Sequence, residues 1–245
     1  MKKLIFISSI LFFSVTQLWA QEKNPVNFPM LGDNAPSFTA ESTTGTLNFP
    51  EDYNFKWKIL FSHPADFTPV CTSEILELAA AQKDFEKLGT SLVVVSVDKL
   101  ENHVAWAKNM ETIRYKNREP VKIGFPLVSD PNLQIAKEYG MIHPNTSTTK
   151  DVRGVFIIDP ENKIRAMFFY PMSIGRNLGE IERTLVALQT ADKQQVLIPA
   201  NWQPGGDVLI PYLNSTTEAE KVALNEDPGY YQLAWYFRFK KADTR

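Results

Sequence analysis

Two apolar, β-branched runs, WKILFSHP (57–64) and SLVVVSVD (91–98), flank a stretch with helical spacing, and this order limits the fold more than any other feature. Runs that are apolar at nearly every position suit strands buried on both faces of a sheet. Between them, Ser73 to Leu88 places Ile75, Leu78, Ala79 and Phe85 on one side of a helix, with Gly89 as its stop. The unit is therefore β-α-β.

The next segments extend the pattern. LENHVAWAKNMETIRYK (100–116) reads as a second helix, IGFPLVSD (123–130) as a short strand, and PNLQIAKEYGM (131–141) as a helix ending near Gly140. VRGVFIIDPENKIRAMFFYP (152–171) holds two strand-like runs around Asp-Pro-Glu-Asn-Lys, a turn cluster that predicts an antiparallel hairpin. NLGEIERTLVALQTA (177–191) is amphipathic, with Leu178, Ile181, Leu185 and Leu188 on one face. A β-α-β order closed by a hairpin and a helix predicts an α/β fold, a mixed sheet with helices on both sides.

Beyond Pro199 the character changes. IPANWQPGGDVLIP (198–211) carries three prolines and two adjacent glycines and reads as an arm. STTEAEKVALNE (215–226) reads as a short capped helix and GYYQLAWYFRFKK (229–241) as a strand. This tail is too short to bury its own core, so it is expected to pack on the main domain or on a second subunit.

Residues 1–20, MKKLIFISSILFFSVTQLWA, have the form of an export signal: Lys2 and Lys3, an apolar run, and the small residue Ala20 at the end. The run is shorter than the ~20 apolar residues a spanning helix needs, so stable membrane insertion is not expected. The predicted destination is the periplasm or the exterior. The formal charge of the whole chain is −2, and loss of the two leader lysines makes it more negative. Without a basic cluster, nucleic acid is not an expected partner.

Cys71 is the single cysteine in 245 residues. Exported proteins usually hold cysteines in disulfide pairs, so an unpaired thiol asks for another explanation. Thr68 followed by Pro69 is a helix-start signal, a hydroxyl at the cap and proline at the first helical position. Cys71 then falls in the first turn, where unpartnered N–H groups and the helix dipole favour a thiolate, the reactive form. The competing reading is a small buried hydrophobe. Arg153, judged by spacing alone, is a surface residue at a strand start. His103 and His143 show no metal-ligand spacing and read as structural or exposed.

HPADFTPVCTSEI (63–75) resembles the active-site segment of peroxiredoxins, P-x-x-x-T-x-x-C, here Pro64, Thr68 and Cys71. His63 and DFTPVCT are similar to the one-cysteine, peroxiredoxin-6-like subfamily. LGDNAPSF, VVSVDKLENHVAW, FPLVSDPNLQIAKEYGM, GRNLGEIERTLVALQ and PANWQPGGDVLIP follow in family order, so the resemblance runs from about Met30 to Pro211. It implies a thioredoxin-like domain over 29–190 and a C-terminal extension over 191–245. It also implies reduction of hydrogen peroxide and organic hydroperoxides, Cys71 passing through a sulfenic acid.

By the same resemblance Thr68 aligns thiolate and peroxide, Arg153 supplies donors and positive charge, and Pro64 shields the sulfur. Glu74 pairs with the arginine, Arg176 adds a second arginine, and His63 lies beside the pocket. No metal or organic cofactor is implied. No second cysteine is present to resolve the sulfenic acid, so an external thiol reductant is expected. Family members pair hairpin strands edge to edge, and KIRAMFFY (163–170) is the matching candidate for a homodimer contact, with higher oligomers open. A thiol–disulfide oxidoreductase needs a C-x-x-C pair, and position 74 is Glu. A redox sensor or holdase that uses sulfenylation as a signal remains as an added role.

Overall fold

The computed structural model describes residues 28–211 and 228–242. The expected leader, 1–20, and the expected helix at 215–226 lie outside the described residues. Among the described residues, ten strands and four α-helices run in the order β1 (Phe38–Ser42), β2 (Gly45–Phe49), β3 (Trp57–Ser62), α1 (Pro69–Lys87), β4 (Thr90–Ser96), α2 (Leu100–Met110), β5 (Leu127–Ser129), α3 (Gln134–Glu138), β6 (Arg153–Ile158), β7 (Ile164–Tyr170), α4 (Leu178–Gln194), β8 (Val208–Leu209), β9 (Tyr230–Ala234) and β10 (Phe237–Lys240). The first seven strands form one mixed sheet in the order β2-β1-β5-β4-β3-β6-β7, the thioredoxin-like arrangement expected.

The central strands are apolar on both faces because both faces are covered. Ile59 and Phe61 of β3, Val94 of β4, and Val155 and Ile157 of β6 meet Ile75, Leu78 and Phe85 of α1, Trp106 of α2, and Ile181 and Leu185 of α4. The alternate residues, Leu60, Val93, Val95, Phe156 and Ile158, pack with Ile135 and Ala136 of α3 and with Phe38 and Phe49 from the first hairpin. Strand β3 pairs in parallel with β4 and antiparallel with β6, so its C-terminal end meets the start of β6. Ser62 fixes that meeting: its hydroxyl donates to Val152 O at 2.6 Å and accepts from the Gly154 amide at 2.8 Å. This junction brings Arg153 to the first turn of α1.

Three local expectations need correction, and one hairpin is additional to them. The helix expected over 100–116 ends at Met110, where the chain turns and the Glu111 carboxylate accepts the Ile123 amide. The helix expected over 131–141 shrinks to five residues between two left-handed positions, Leu133 and Gly140, with Asp130 accepting the Gln134 and Ala136 amides. The hairpin β1–β2 has no counterpart among the sequence expectations. The single strand expected over 229–241 is itself a hairpin, β9–β10, closed by Trp235 and Tyr236.

The tail packs on the main domain. Strand β10 lies between β8 and β9 in a second, three-stranded sheet, and Leu197 bridges to Leu209. Beneath it, Trp202 and Val208 join Ala187 of α4 and Val196, just beyond that helix, in a small apolar cluster. Among the described residues no helix is long and apolar enough to cross a membrane.

Candidate active site

Thr68 occupies the N-cap position of α1 in extended conformation, and Pro69 begins the helix, as the sequence signal predicts. The cap itself differs from expectation. The Thr68 hydroxyl makes no capping bond and donates instead to Ala65 O at 2.9 Å, closing the loop that carries Pro64. Its oxygen lone pairs stay available, and the side chain leaves the first-turn amides uncapped.

Cys71 is fully buried, among the residues of the larger core cluster. Its position in the first turn is as read from sequence. Arg153, the first residue of β6, is only 2 % exposed. The reading of Arg153 as a surface residue is therefore wrong, because the β3–β6 pairing carries the strand start inward. Its Nη1 donates to Cys71 Sγ at 3.3 Å and to Glu74 Oε2 at 2.7 Å. Its Nε and Nη2 both donate to Met172 O, at 3.1 and 2.6 Å, which fixes the plane of the guanidinium.

Glu74 lies one turn beyond Cys71 and is gripped by a second arginine. Arg176, in the loop between β7 and α4, donates from its amide and Nε to Glu74 Oε1, at 2.7 and 2.8 Å, and from Nη2 to Oε2 at 2.8 Å. Its Nη1 reaches Ser62 O and Gly154 O, both at 2.8 Å, so the same guanidinium ties α1 to the β3–β6 junction. Burial opposes the charge on Glu74, and Arg176 first and Arg153 second more than offset it, holding the carboxyl below the usual glutamate range.

The charges of this cluster decide what it suits. Two buried guanidiniums and one carboxylate leave one positive charge over, and a buried unbalanced charge is costly. A thiolate at Cys71, already in contact with Arg153, balances it. The cluster thus presents a nucleophile with a fixed donor beside it, and with planar, bidentate groups that a lysine does not replace.

The structure brings Cys71, Glu74, Arg153 and Arg176 into one hydrogen-bonded cluster. Thr68 and Pro64 lie in the adjoining loop, Pro64 buried and Thr68 partly exposed, and neither hydrogen-bonds the sulfur. His63 is fully buried just beyond β3 and turns to Asp66: Nε2 lies 2.9 Å from Oδ1. Asp66 also faces His103 of α2, with Oδ2 2.8 Å from Nδ1.

Sequence reasoning does not pick out Asp66 or give His103 a functional role. His63 and Asp66 share a three-residue spacing, but His103 comes from another helix, and no spacing signals it. Burial lowers the His63 imidazole, against a raising effect from Asp66. Burial opposes the charge on Asp66, and the bonds from His103 and His63 outweigh it and hold the carboxyl below the usual range. Among the described residues, these three form the group able to offer ligand atoms to a metal, lying within 4.8 Å of one another. Their N···O separations are those of direct hydrogen bonds.

Residues 31–167 match the AhpC/TSA family, and residues 187–225 match the C-terminal domain of 1-Cys peroxiredoxin. A peroxiredoxin of Methanosarcina mazei is 49 % identical over 218 residues, covering 89 % of this chain and 99 % of the relative. One from Aquifex aeolicus is 42 % identical over 226 residues, covering 88 % and 98 %. The solved structure of a cysteine-to-serine mutant of the peroxiredoxin 6 of Arenicola marina is 32 % identical with a TM-score of 0.77, covering 89 % of this chain and 100 % of that one. A yeast mitochondrial 1-Cys peroxiredoxin, whose structure addresses thiol resolution through glutathione and thioredoxin systems, is 37 % identical with a TM-score of 0.76, covering 88 % and 100 %.

Proposed function

The chain belongs to the AhpC/TSA family and is a thiol-dependent peroxidase of the one-cysteine peroxiredoxin type, and from that premise we propose how its buried cluster performs the reaction. The Cys71 thiolate attacks the nearer peroxide oxygen; the S–O bond forms as the O–O bond breaks. The sulfur loses two electrons and becomes a sulfenic acid, and the departing hydroxide or alkoxide takes a proton from water. The observation that carries this reading is the contact of Arg153 Nη1 with Cys71 Sγ at 3.3 Å. The charge on the sulfur moves to the departing oxygen during attack, and a fixed guanidinium beside the path stabilises it.

The other residues serve that step. Thr68 accepts from the peroxide hydroxyl, since its own proton is committed to Ala65 O, and this aligns the O–O bond with the sulfur. Pro64 keeps water from the sulfur. Glu74 and Arg176 hold Arg153 in its plane, and His63 supports the loop from beneath.

The cycle closes with an external thiol, since no second cysteine is present. One thiol attacks the sulfenic acid, giving a mixed disulfide and water. A second thiol displaces Cys71 and leaves as the oxidised disulfide. We further propose export after removal of 1–20, supported by the basic start and the apolar run, and a homodimer joined along β7, supported by the place of that strand at the sheet edge.

Peroxide titration with mass spectrometry of Cys71, repeated with candidate thiols, tests activity and recycling together. The expected result is one added oxygen on Cys71, removed by a competent thiol, and no peroxide consumption by Cys71→Ser. Wild-type consumption by Cys71→Ser would defeat the reading. Light scattering tests the dimer, and the N-terminal sequence of the exported protein tests the leader.

A further inference from the structure

The loop from His63 to Thr68 carries Pro64 and leads into the first turn of α1, which holds Cys71, yet it lies outside any strand or helix. Phe67 stands at φ +55 with its ring more than half exposed, a left-handed conformation that a bulky residue rarely keeps unless its neighbours enforce it. The enforcement comes from the residue before it. The Asp66 amide donates to Asp98 Oδ2 at 2.9 Å, and the Asp66 carboxylate is held on both oxygens, Oδ1 by His63 and Oδ2 by His103. His103 in turn reaches Val128 O of β5 through Nε2 at 3.1 Å. One short side chain thus ties the end of β3, helix α2 and strand β5 to the loop that ends in Thr68.

The donors and acceptors add a requirement. A carbonyl oxygen only accepts, so His103 Nε2 must carry a proton toward Val128 O. The other nitrogen, Nδ1, faces a carboxylate oxygen at 2.8 Å. One more proton must therefore lie on the Nδ1–Oδ2 line, whichever atom holds it, or two lone pairs would face each other in a buried place. The bridge consumes neither thiol nor peroxide. Its chemistry is that of a brace.

We propose that Asp66 and His103 are positioning residues for the peroxidase reaction: the buried bridge from His63 through Asp66 to His103 sets the loop so that Thr68 meets the incoming peroxide in line with Cys71. This rests on the peroxidase reading of the cluster. Trp106 extends the brace on the same helix. Its ring lies 5.1 Å from that of His63 and 6.4 Å from that of Phe67, and its Nε1 donates to Thr72 Oγ1.

The test is single-turnover oxidation of Cys71 by hydrogen peroxide in wild type, Asp66→Ala and Asp66→Asn, with circular dichroism to score folding. Asparagine keeps every bond: Oδ1 accepts from His63, and Nδ2 donates to His103 Nδ1 without the shared proton. Alanine removes both. The expected result is a loss of about 10- to 100-fold in the oxidation rate of folded Asp66→Ala, on the order that misplacement by about 1 Å costs, and recovery of most of that loss in Asp66→Asn. Wild-type rate in folded Asp66→Ala, or an equal loss in Asp66→Asn, would overturn the proposal. Should Asp66→Ala not fold, His103→Gln replaces it, keeping a donor for Val128 O but nothing for Asp66; a wild-type rate there overturns the proposal equally. Failure of the wild-type protein itself to oxidise with peroxide would strike the peroxidase reading instead.

Discussion

Nη1 of Arg153 donates to both Cys71 Sγ, at 3.3 Å, and Glu74 Oε2, while Nε and Nη2 of the same guanidinium donate to Met172 O. A lysine reaches the same region with a point charge but cannot hold three partners in one plane. Arg153→Lys is therefore expected to slow Cys71 oxidation by about 10²- to 10³-fold, the loss typical when one preorganised donor is removed from a transition state. Stopped-flow measurement of the oxidation rate checks this, and a rate close to that of wild type would show that the planar fork is not needed.

Glu74 is the anion between the two arginines, and its replacement leaves positive charge buried without a partner. Glu74→Gln is expected to cost about 3–5 kcal/mol in urea unfolding at neutral pH. The dependence on acid has a definite sign. The folded carboxyl lies below its unfolded value, so its contribution is complete above the ordinary glutamate range near about 4.3 and is lost as pH falls through the folded value. The difference in stability between wild type and Glu74→Gln should shrink across that acid window. A difference that stays constant down to pH 2 would contradict the assignment.

Asp151 behaves in the opposite way. It is fully buried two residues before Arg153, and neither of its carboxyl oxygens is hydrogen-bonded among the described residues. Burial first, then Asp130 and Asp98, pushes its carboxyl well above the usual range. Such a group favours the folded state in acid and loses that advantage as pH rises from the unfolded value toward the folded one. Asp151→Val should stabilise the protein by about 1–3 kcal/mol at neutral pH, the scale of an uncompensated buried polar group. The gain should diminish as pH falls from neutral toward the ordinary aspartate range near about 4. Thermal unfolding at pH 4 and pH 7 tests both, and a destabilised variant at pH 7 would point to a partner for Asp151.

The parts legible in sequence are those that one local pattern specifies. Burial of both faces of β3, β4 and β6 makes near-continuous apolar runs, and the five-residue turn from Asp159 to Lys163 announces its hairpin. Thr68 and Pro69 alone place Cys71 in the first turn. Arg153 is different: its burial depends on pairing with a strand far earlier in the chain, so spacing suggests a surface residue and only the family resemblance names it. Asp66 and His103 lie further still from local legibility. Their contact joins a loop to a helix 37 residues on, and nothing in the order of residues marks it. The β1–β2 hairpin escapes sequence reading because strands of five residues leave little room for a periodic signal.

The edge of the large sheet supplies the last prediction. Strand β7 pairs with β6 on one side and has no strand beyond it among the described residues. Phe169, near its end, is 37 % exposed, with its ring against Phe156 and His143. An apolar edge of this kind invites a second copy of the strand, and natural proteins that avoid such pairing place lysine there. Phe169→Lys adds a charge that repels its own symmetry mate across a two-fold contact, while the alternate residues of β7 still face the core. Light scattering is expected to find a dimer for wild type and a shift toward monomer for Phe169→Lys, with the circular dichroism spectrum unchanged. An equally dimeric variant would move the contact away from this end of β7, and a monomeric wild type would remove the dimer altogether.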